Sequence, residues 1–398
     1  MDIGVCVAAK IDDVGYIAHA ENLGYSHAWV ADSQMIWSDC YAVLALAAQR
    51  TRTIRLGTGV AVAGTRTAPV TAHSIATINR LAPGRTFLGV GTGNTAMRLM
   101  GQRPLKLAAY GEYLRVVRAL LRGEEVDYTD ERDCRAGRAH ARGLNSTQPR
   151  GADSSVRDGS GSGAPRTAPI SFPMRDLGFI ALHPPIPVYV SGFGPKAQAL
   201  AGEYGDGLVM SIPPEPDFVR RALRNVELGF ARREPQAQPS AGDDARAPGG
   251  FYTCSLTAAV VLGPGDRLTD ERVIREAGPF ALSSLHYLYE KLRFSGGEPP
   301  PAVRPIWQDY VAAVEAVPAS HRHLRIHAGH CTYIHPDEAR FVTPELIRAS
   351  CLVGRPEELL EKIRRLHAAG LHQLMLLPSL EPQYRVLETF ARQVMAKL

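Results

Sequence analysis

Three imidazoles fall within nine residues in the run His327-Ala-Gly-His330-Cys331-Thr-Tyr333-Ile-His335-Pro-Asp337-Glu338. Histidine titrates near neutrality, so His327 and His330 are candidates for proton transfer or substrate contact. The same spacing can be read as metal ligands at i, i+3, but a metal site wants a carboxylate and i, i+4 or alternate-strand geometry. Asp337 and Glu338 follow a proline and read better as helix-start residues, so no metal is expected. Structurally satisfied histidines are the remaining alternative. Two glycine-rich runs offer a different chemistry. Gly89-Val90-Gly91-Thr92-Gly93-Asn94 lets a flat ring or a polyanion approach the backbone, with Thr92 and Asn94 as hydrogen-bonding groups. A tight turn is the plainer reading of that run. Ser191-Gly192-Phe193-Gly194-Pro195-Lys196 opens a helix, where exposed amides, Ser191 and Lys196 make a phosphate cradle or a simple loop. Asp32-Ser33-Gln34 adds an acid and a hydroxyl to the inventory.

The elements that must position these groups alternate regularly. Strand patterns at 3–8, 27–31, 54–60 and 86–90 are separated by helical patterns at 12–23, 40–50, 70–81 and 105–121. Strands at 186–190, 207–211, within 251–262 and at 373–377, with helices at 195–204, 357–369 and 384–397, continue the rhythm. Eight βα-type units demand parallel strands with right-handed crossovers, which predicts an α/β fold of the (β/α)8 TIM-barrel class. An open dinucleotide-binding sheet would place a GxGxxG at its first turn, and Ala8-Ala9-Lys10 offers none. In such a barrel the chemistry belongs at the carboxyl ends of the strands. Those ends are Val7-Ala8, Asp32-Ser33-Gln34, Thr58-Gly59-Val60, Gly91 to Asn94, Ser191 to Gly194, Ser211, the segment His327 to His335 and Pro378.

The 398 residues are read as one barrel domain with insertions at its carboxyl-end face. Segments 130–169 and 232–250 are rich in Arg, Gly, Ser and Pro and poor in large apolar residues, so they read as surface insertions. Residues 264–350 are richer in aromatics and predict extra helices capping one end. The formal charge of +5 comes without a basic run interleaved with aromatics, which argues against nucleic acid. No apolar stretch is long enough to span a bilayer and no secretory leader precedes the first strand, so a cytoplasmic protein is expected, with no membrane partner. Six scattered cysteines without a CxxC pair read as free thiols. Trp29, Tyr110 and Tyr113 read as packing residues, and His19, His73 and His286 as ordinary helical ones.

The segments IRLGTGV, RTFLGVGTGNTAMRLMG, PVYVSGFGPKAQALAGEYGDGLV and VGRPEELLEKIRRLHAAG resemble the bacterial luciferase-like superfamily of flavin-dependent monooxygenases and deazaflavin (F420)-dependent reductases. The resemblance implies a barrel whose flavin ring lies over Thr58, Gly59, Val60, Gly91 and Thr92, with a non-proline cis peptide at Gly59–Val60. It implies a phosphate on Ser191, Gly192, Phe193 and Gly194 with Lys196 nearby. Ala8, Gly93 and Asn94 are grouped with these cofactor contacts, and Asp32, Ser33, His327 and His330 are the candidate catalytic residues. Members that activate oxygen often carry a histidine after the second strand, where this chain has Asp32-Ser33-Gln34.

The resemblance implies reduced FMN, supplied by a separate flavin reductase, reacting with O2 to oxygenate a small organic substrate. The alternative is hydride chemistry with coenzyme F420. A homodimer is expected from the resemblance. Readings of another class are a metal-dependent hydrolase on His327, His330 and His335, and a flavin-binding barrel without turnover.

Overall fold

A computed structural model describes residues 1–129, 167–211, 213–233 and 250–398. Eight parallel strands form the barrel: β1 (Asp2–Val7), β2 (His27–Val30), β3 (Arg55–Thr58), β4 (Thr86–Gly91), β5 (Val188–Ser191), β6 (Gly207–Met210), β7 (Tyr252–Thr257) and β8 (Gln373–Leu376). The hydrogen-bonded order runs β3-β2-β1-β8-β7-β6-β5-β4, and pairing of Leu56 with Thr86 closes the ring. The strands are short apolar runs buried on both faces, as parallel strands wrapped by helices must be. Intervening helices begin where the sequence signals a start. Asp39 accepts from the amides of Tyr41 and Ala42 to cap Cys40–Arg50, and prolines stand in the first turns of Ala68–Leu81, Pro195–Tyr204, Pro216–Phe230 and Pro356–Ala368.

The lower barrel interior is filled by large side chains set opposite glycines. Trp29 and Phe87 lie 4.3 Å apart between ring centres, and Tyr189 and Tyr252 continue the layer at 5.4 Å. Gly57 leaves room for the Phe87 ring, since any β-carbon there would occupy the ring's position. The Trp29 indole donates to Gln373 Oε1 at 2.8 Å and the Tyr252 hydroxyl to Asp2 Oδ2 at 2.7 Å, so these polar edges of the layer are satisfied. A first apolar core lies between strands and outer helices. A second runs from this interior up into the cap and joins Cys6, Ala31, Val60 and Trp37 to Cys331, Val353 and Leu377.

The cap is helical, as the aromatic content of 264–350 predicts: Glu271–Ser295, Arg304–Glu315, Arg322–Ile326, a 3-10 turn Pro336–Phe341 and Pro344–Ser350. Several boundaries differ from the sequence reading. The third strand ends at Thr58, because the chain turns at a cis Gly59–Val60 peptide and Ala61–Val62 then pairs with Val90–Gly91. The predicted helix 105–121 is preceded by a separate helix Asn94–Leu99, and Pro216–Phe230 is a full helix beyond those expected from the sequence. Most of both predicted insertions, 130–166 and 234–249, lies outside the described residues; 167–170 pairs antiparallel with 126–129. The five cysteines described are free and buried, and Cys134 lies outside the described residues. No described helix is long and apolar enough to cross a membrane.

Candidate active site at the capped barrel mouth

The predicted site residues at the strand ends gather at one end, because the carboxyl ends of parallel strands necessarily share a face, whereas His327 and His330 follow no strand and lie in the cap between Arg322–Ile326 and Pro336–Phe341. Their side chains, however, are used differently from what the residue types suggest. Asp32 follows β2 and is buried. Its Oδ2 accepts from Arg66 Nη1 at 2.6 Å and from the Val62 amide at 3.1 Å, and its Oδ1 accepts from Gln34 Nε2 at 2.6 Å. Arg66 also reaches Asp39 at 2.7 Å. Burial lowers the guanidinium's proton affinity, but the Asp32 charge more than restores it, and Arg66 is held above its ordinary value. Asp32 is therefore a structural acid that pins the bulge after β3. Ser33 is half-buried, and its carbonyl closes the following turn by accepting from Ile36 and Trp37. Thr58 is fully buried, with its hydroxyl given to the Gly89 carbonyl at 2.6 Å, so it offers nothing to a ligand through that group.

The rim glycines have a packing reason that the sequence could not show. A β-carbon on Gly59 would meet Trp29 at 2.6 Å; one on Gly91 would meet Val60 at 2.9 Å and Ser191 at 3.2 Å. Gly93 adopts φ +77° beside Val62, and Gly192 turns tightly over Ala197. Only at Gly194 among these five does an added β-carbon meet open space. The amides of Phe193 and Gly194 have no hydrogen-bond partner among the described residues, and Lys196 stands exposed in the first turn of the helix that follows. Half-buried Ser191 and Thr92 sit on facing loops. Ala8 closes β1 as a buried wall.

The cap completes the mouth from above. Its helix Glu271–Ser295 places Glu290 against the loop after β4. Asn94 Nδ2 donates to Glu290 Oε2 at 3.0 Å, Arg98 Nε lies 3.2 Å from Glu290 Oε1 and donates to Asn94 Oδ1 at 2.9 Å. Asn94 is thus spent on tethering the cap. His327 Nε2 stands 3.4 Å from Glu290 Oε1, and neither of its buried ring nitrogens makes a hydrogen bond among the described residues. Burial would raise the Glu290 carboxyl, but the nearby His327, the hydrogen bond from Asn94 and the Arg98 charge outweigh it and hold the group below its ordinary value. Glu290 was not marked by the sequence, because a lone Glu in a helical pattern carries no local signal.

His330 lies 5.9 Å from the His327 ring, edge to face, and 5.7 Å from Trp37, which follows β2. Burial pushes its imidazole down to about 3, and the neighbouring His327 and His286 add to that. His335 is displaced from the pair: it closes the turn before Asp337. His286 pairs with Glu338 at 3.0 Å in the cap interior. No group of three or more metal-ligating side chains forms among the described residues. Trp29, Tyr110 and Tyr113 are buried packing residues, the two tyrosine hydroxyls donating to Val90 O and Thr71 Oγ1. A cavity of about 630 Å3 lies elsewhere, between the turn at Asp266–Leu268 and helix Pro356–Ala368, and no predicted site residue lines it.

A family model described as luciferase-like monooxygenase matches residues 12–373. The chain belongs to that family. It is 28% identical over 235 residues to a 5,10-methylenetetrahydromethanopterin reductase of Methanolobus tindarius, covering 56% of this chain and 59% of that protein. It is 29% identical over 218 residues to an F420-dependent glucose-6-phosphate dehydrogenase of Beutenbergia cavernae, covering 50% and 52%. The chain thus spans between about half and three fifths of the length of these curated relatives. The coenzyme F420-dependent tetrahydromethanopterin reductase of Methanopyrus kandleri shares the fold, with a TM-score of 0.62 at 17% identity over 99% of this chain and 98% of that one. So does the FMN-bound oxygenating constituent of 3,6-diketocamphane monooxygenase from Pseudomonas putida, at 0.55 and 16%, over 100% and 99%. The barrel expected from strand counting and from the luciferase-like resemblance is the fold found.

Proposed function

We propose that this luciferase-like chain is an oxidoreductase that uses coenzyme F420 at the capped mouth and exchanges hydride with a small organic substrate. The observation that carries the reading is the meeting of two glycine-rich loops on one side of the mouth, where Gly91 packs against Ser191 and Gly194 opens onto free space. Ser191, the unpartnered amides of Phe193 and Gly194, and the exposed Lys196 fit an anionic phosphate. Half-buried Gly59, Val60 and Thr92 supply a largely apolar bed for a flat ring. The F420-dependent glucose-6-phosphate dehydrogenase compared above supports a deazaflavin over FMN by what it is named for. When bound, F420 supplies two-electron hydride chemistry; the protein's part is binding, orientation and exclusion of water. The Asp32–Arg66 pair fixes the bed, and the cap, held by Glu290, closes it.

The FMN-dependent monooxygenase reading, with a separate reductase as partner, is the second. One observation favours it: the cap's apolar core is continuous with the barrel interior, so the mouth is backed by packed apolar side chains, as exclusion of water from reactive oxygen chemistry requires. Anaerobic fluorescence titration of the full chain with F420 and, separately, with FMN tests the choice. F420 is expected to bind, and Lys196→Glu to weaken it by about tenfold, the scale of one charge-assisted contact. Binding of FMN alone, with O2 uptake once it is reduced, overturns the F420 reading.

A further inference from the structure

The cavity of about 630 Å3 that stands apart from the mouth lies at the two roots of the cap. Leu262 to Leu268, where the chain leaves the barrel for the cap, line one side, and Arg348, Val353 and Gly354, where it returns, line another. Helix Pro356–Ala368 of the outer layer supplies the rest. The roots are held side by side. Ala259–Val261 pairs in parallel with Leu352–Gly354, and the Leu262 amide donates to Gly354 O at 2.8 Å. That pairing is what lets residues far apart in the chain share one cavity. On the helix, Glu358, Glu361, Lys362 and Arg365 recur at i, i+3, i+4 and i+7, so one helical face looks onto it.

The lining combines an apolar surface with spare cationic donors. Half-buried Leu262 and Leu268 and buried Val353 are its apolar part. Two of its three acids are already engaged by the protein. Asp266 Oδ2 accepts from the Gly263 amide at 2.7 Å and from Arg272, and the amide above all, with Arg272 adding to it, holds that carboxyl below its ordinary value. Glu358 Oε2 accepts from the Arg355 amide at 2.8 Å, closing the first turn of the helix. Glu361 is the third acid, and it has no partner among the described residues. The cations are less committed. Arg365 has no ion pair or hydrogen bond among the described residues. Arg348 stands 3.6 Å from Glu345, beyond hydrogen-bond reach, with both side chains exposed. Lys362 gives the Val353 carbonyl one hydrogen bond at 2.7 Å, which leaves two of its three donors. Three cations with donors to spare therefore face one free carboxylate across an apolar lining, in a volume within the roughly 300–1,000 Å3 typical of organic-ligand sites.

We propose that this cavity is a second ligand site, separate from the mouth, for an organic anion whose apolar body lies against Leu262, Leu268 and Val353 and whose carboxylate or phosphate head is held by Arg348, Lys362 and Arg365. The site does not depend on which cofactor the mouth takes. A ligand there touches both roots of the cap and the barrel helix at once, so its binding stiffens the segments through which the cap joins the barrel.

Calorimetric titration of the full chain without cofactor, using octyl phosphate, octanoate, octyltrimethylammonium and inorganic phosphate as probes, tests this. At least one of the two octyl anions is expected to bind, and at least tenfold more tightly than either inorganic phosphate or the octyl cation. Arg365→Glu and Arg348→Glu, substitutions at exposed positions, are each expected to weaken that anion at least tenfold with the melting temperature unchanged. Lys196→Glu, in the glycine loop of the mouth, should leave it bound. Amide hydrogen exchange in 262–270 and 344–354 is expected to slow at least threefold when the octyl anion is added to the unsubstituted chain, and not in Arg365→Glu. Failure of both octyl anions to bind overturns the inference. So does an octyl cation or inorganic phosphate that binds equally well, since the first removes the charge selection and the second the apolar part. Binding lost in Lys196→Glu but kept in Arg365→Glu places the anion at the mouth and overturns it too.

Discussion

At the residue scale, the mouth shows that residue type and residue use are separate questions. Asp32 and Asn94 both carry groups suited to ligand contact, and both are consumed by the protein itself, one by Arg66 and the Val62 amide, the other by Glu290 and Arg98. Asp32 in particular is a buried carboxylate whose cost is offset by a short pair to one guanidinium. Removing the partner leaves the charge in place without compensation, so Arg66→Met is expected to destabilise the protein by about 3 kcal/mol, read by urea denaturation at neutral pH. The double variant Arg66→Met with Asp32→Asn should recover part of that loss, because the uncompensated charge is then gone. A loss no greater than that of a surface substitution would show that Asp32 is solvated and free. Nothing in the sequence distinguishes the two uses of an aspartate, since its partner lies 34 residues away and arrives only through the fold.

Among the elements, glycine does the same work in several places: it lets two pieces of backbone approach where a β-carbon would collide. The helices Pro195–Tyr204 and Pro216–Phe230 cross at such a point. A β-carbon on Gly202 would land on the Val226 carbonyl, and one on Gly229 would land on that of Ala199. Neither obstacle is a side chain that can rotate away. Gly229→Ala gains helix propensity of about 1 kcal/mol in principle. We expect it instead to destabilise by about 2 kcal/mol or more, because the helices must separate and lose packing along their contact. Chemical denaturation measures the sign directly, and a stabilised variant would disprove the close crossing. The sequence made the strands and most helices legible through apolar runs and through prolines at helix starts. Two helices lie beyond those read from the sequence: Pro216–Phe230, whose buried Val219, Ala222 and Val226 do recur at helical spacing, and Asn94–Leu99, which is only six residues long.

For the whole molecule, the decisive feature is that cap and barrel share one core. The cap is attached to the strand ends at separate places: Glu290 to the loop after β4, Trp37 to His330 after β2, and Thr332 to Leu380 after β8. Glu290 is the polar member of this set, and it is mostly buried with three partners. In Glu290→Ala, amide hydrogen exchange in 280–295 is expected to accelerate by about tenfold while exchange in the barrel strands stays constant, since local opening then costs one charged hydrogen-bond network less. Equal acceleration in cap and strands would mean that the two open as a single unit and that the tether has no separate role.

The sequence by itself determined the barrel and the end at which chemistry would gather. Parallel βα units leave one closed arrangement, and that arrangement puts every strand's carboxyl end on one face regardless of side-chain detail. It also placed His327 and His330 in a segment that folds over that face. Only the tertiary structure decided which side chains there remain available. Hydrogen-bond partners such as Arg66 for Asp32 and Glu290 for Asn94 are far apart in the chain, and local pattern carries no information about contacts made across such distances.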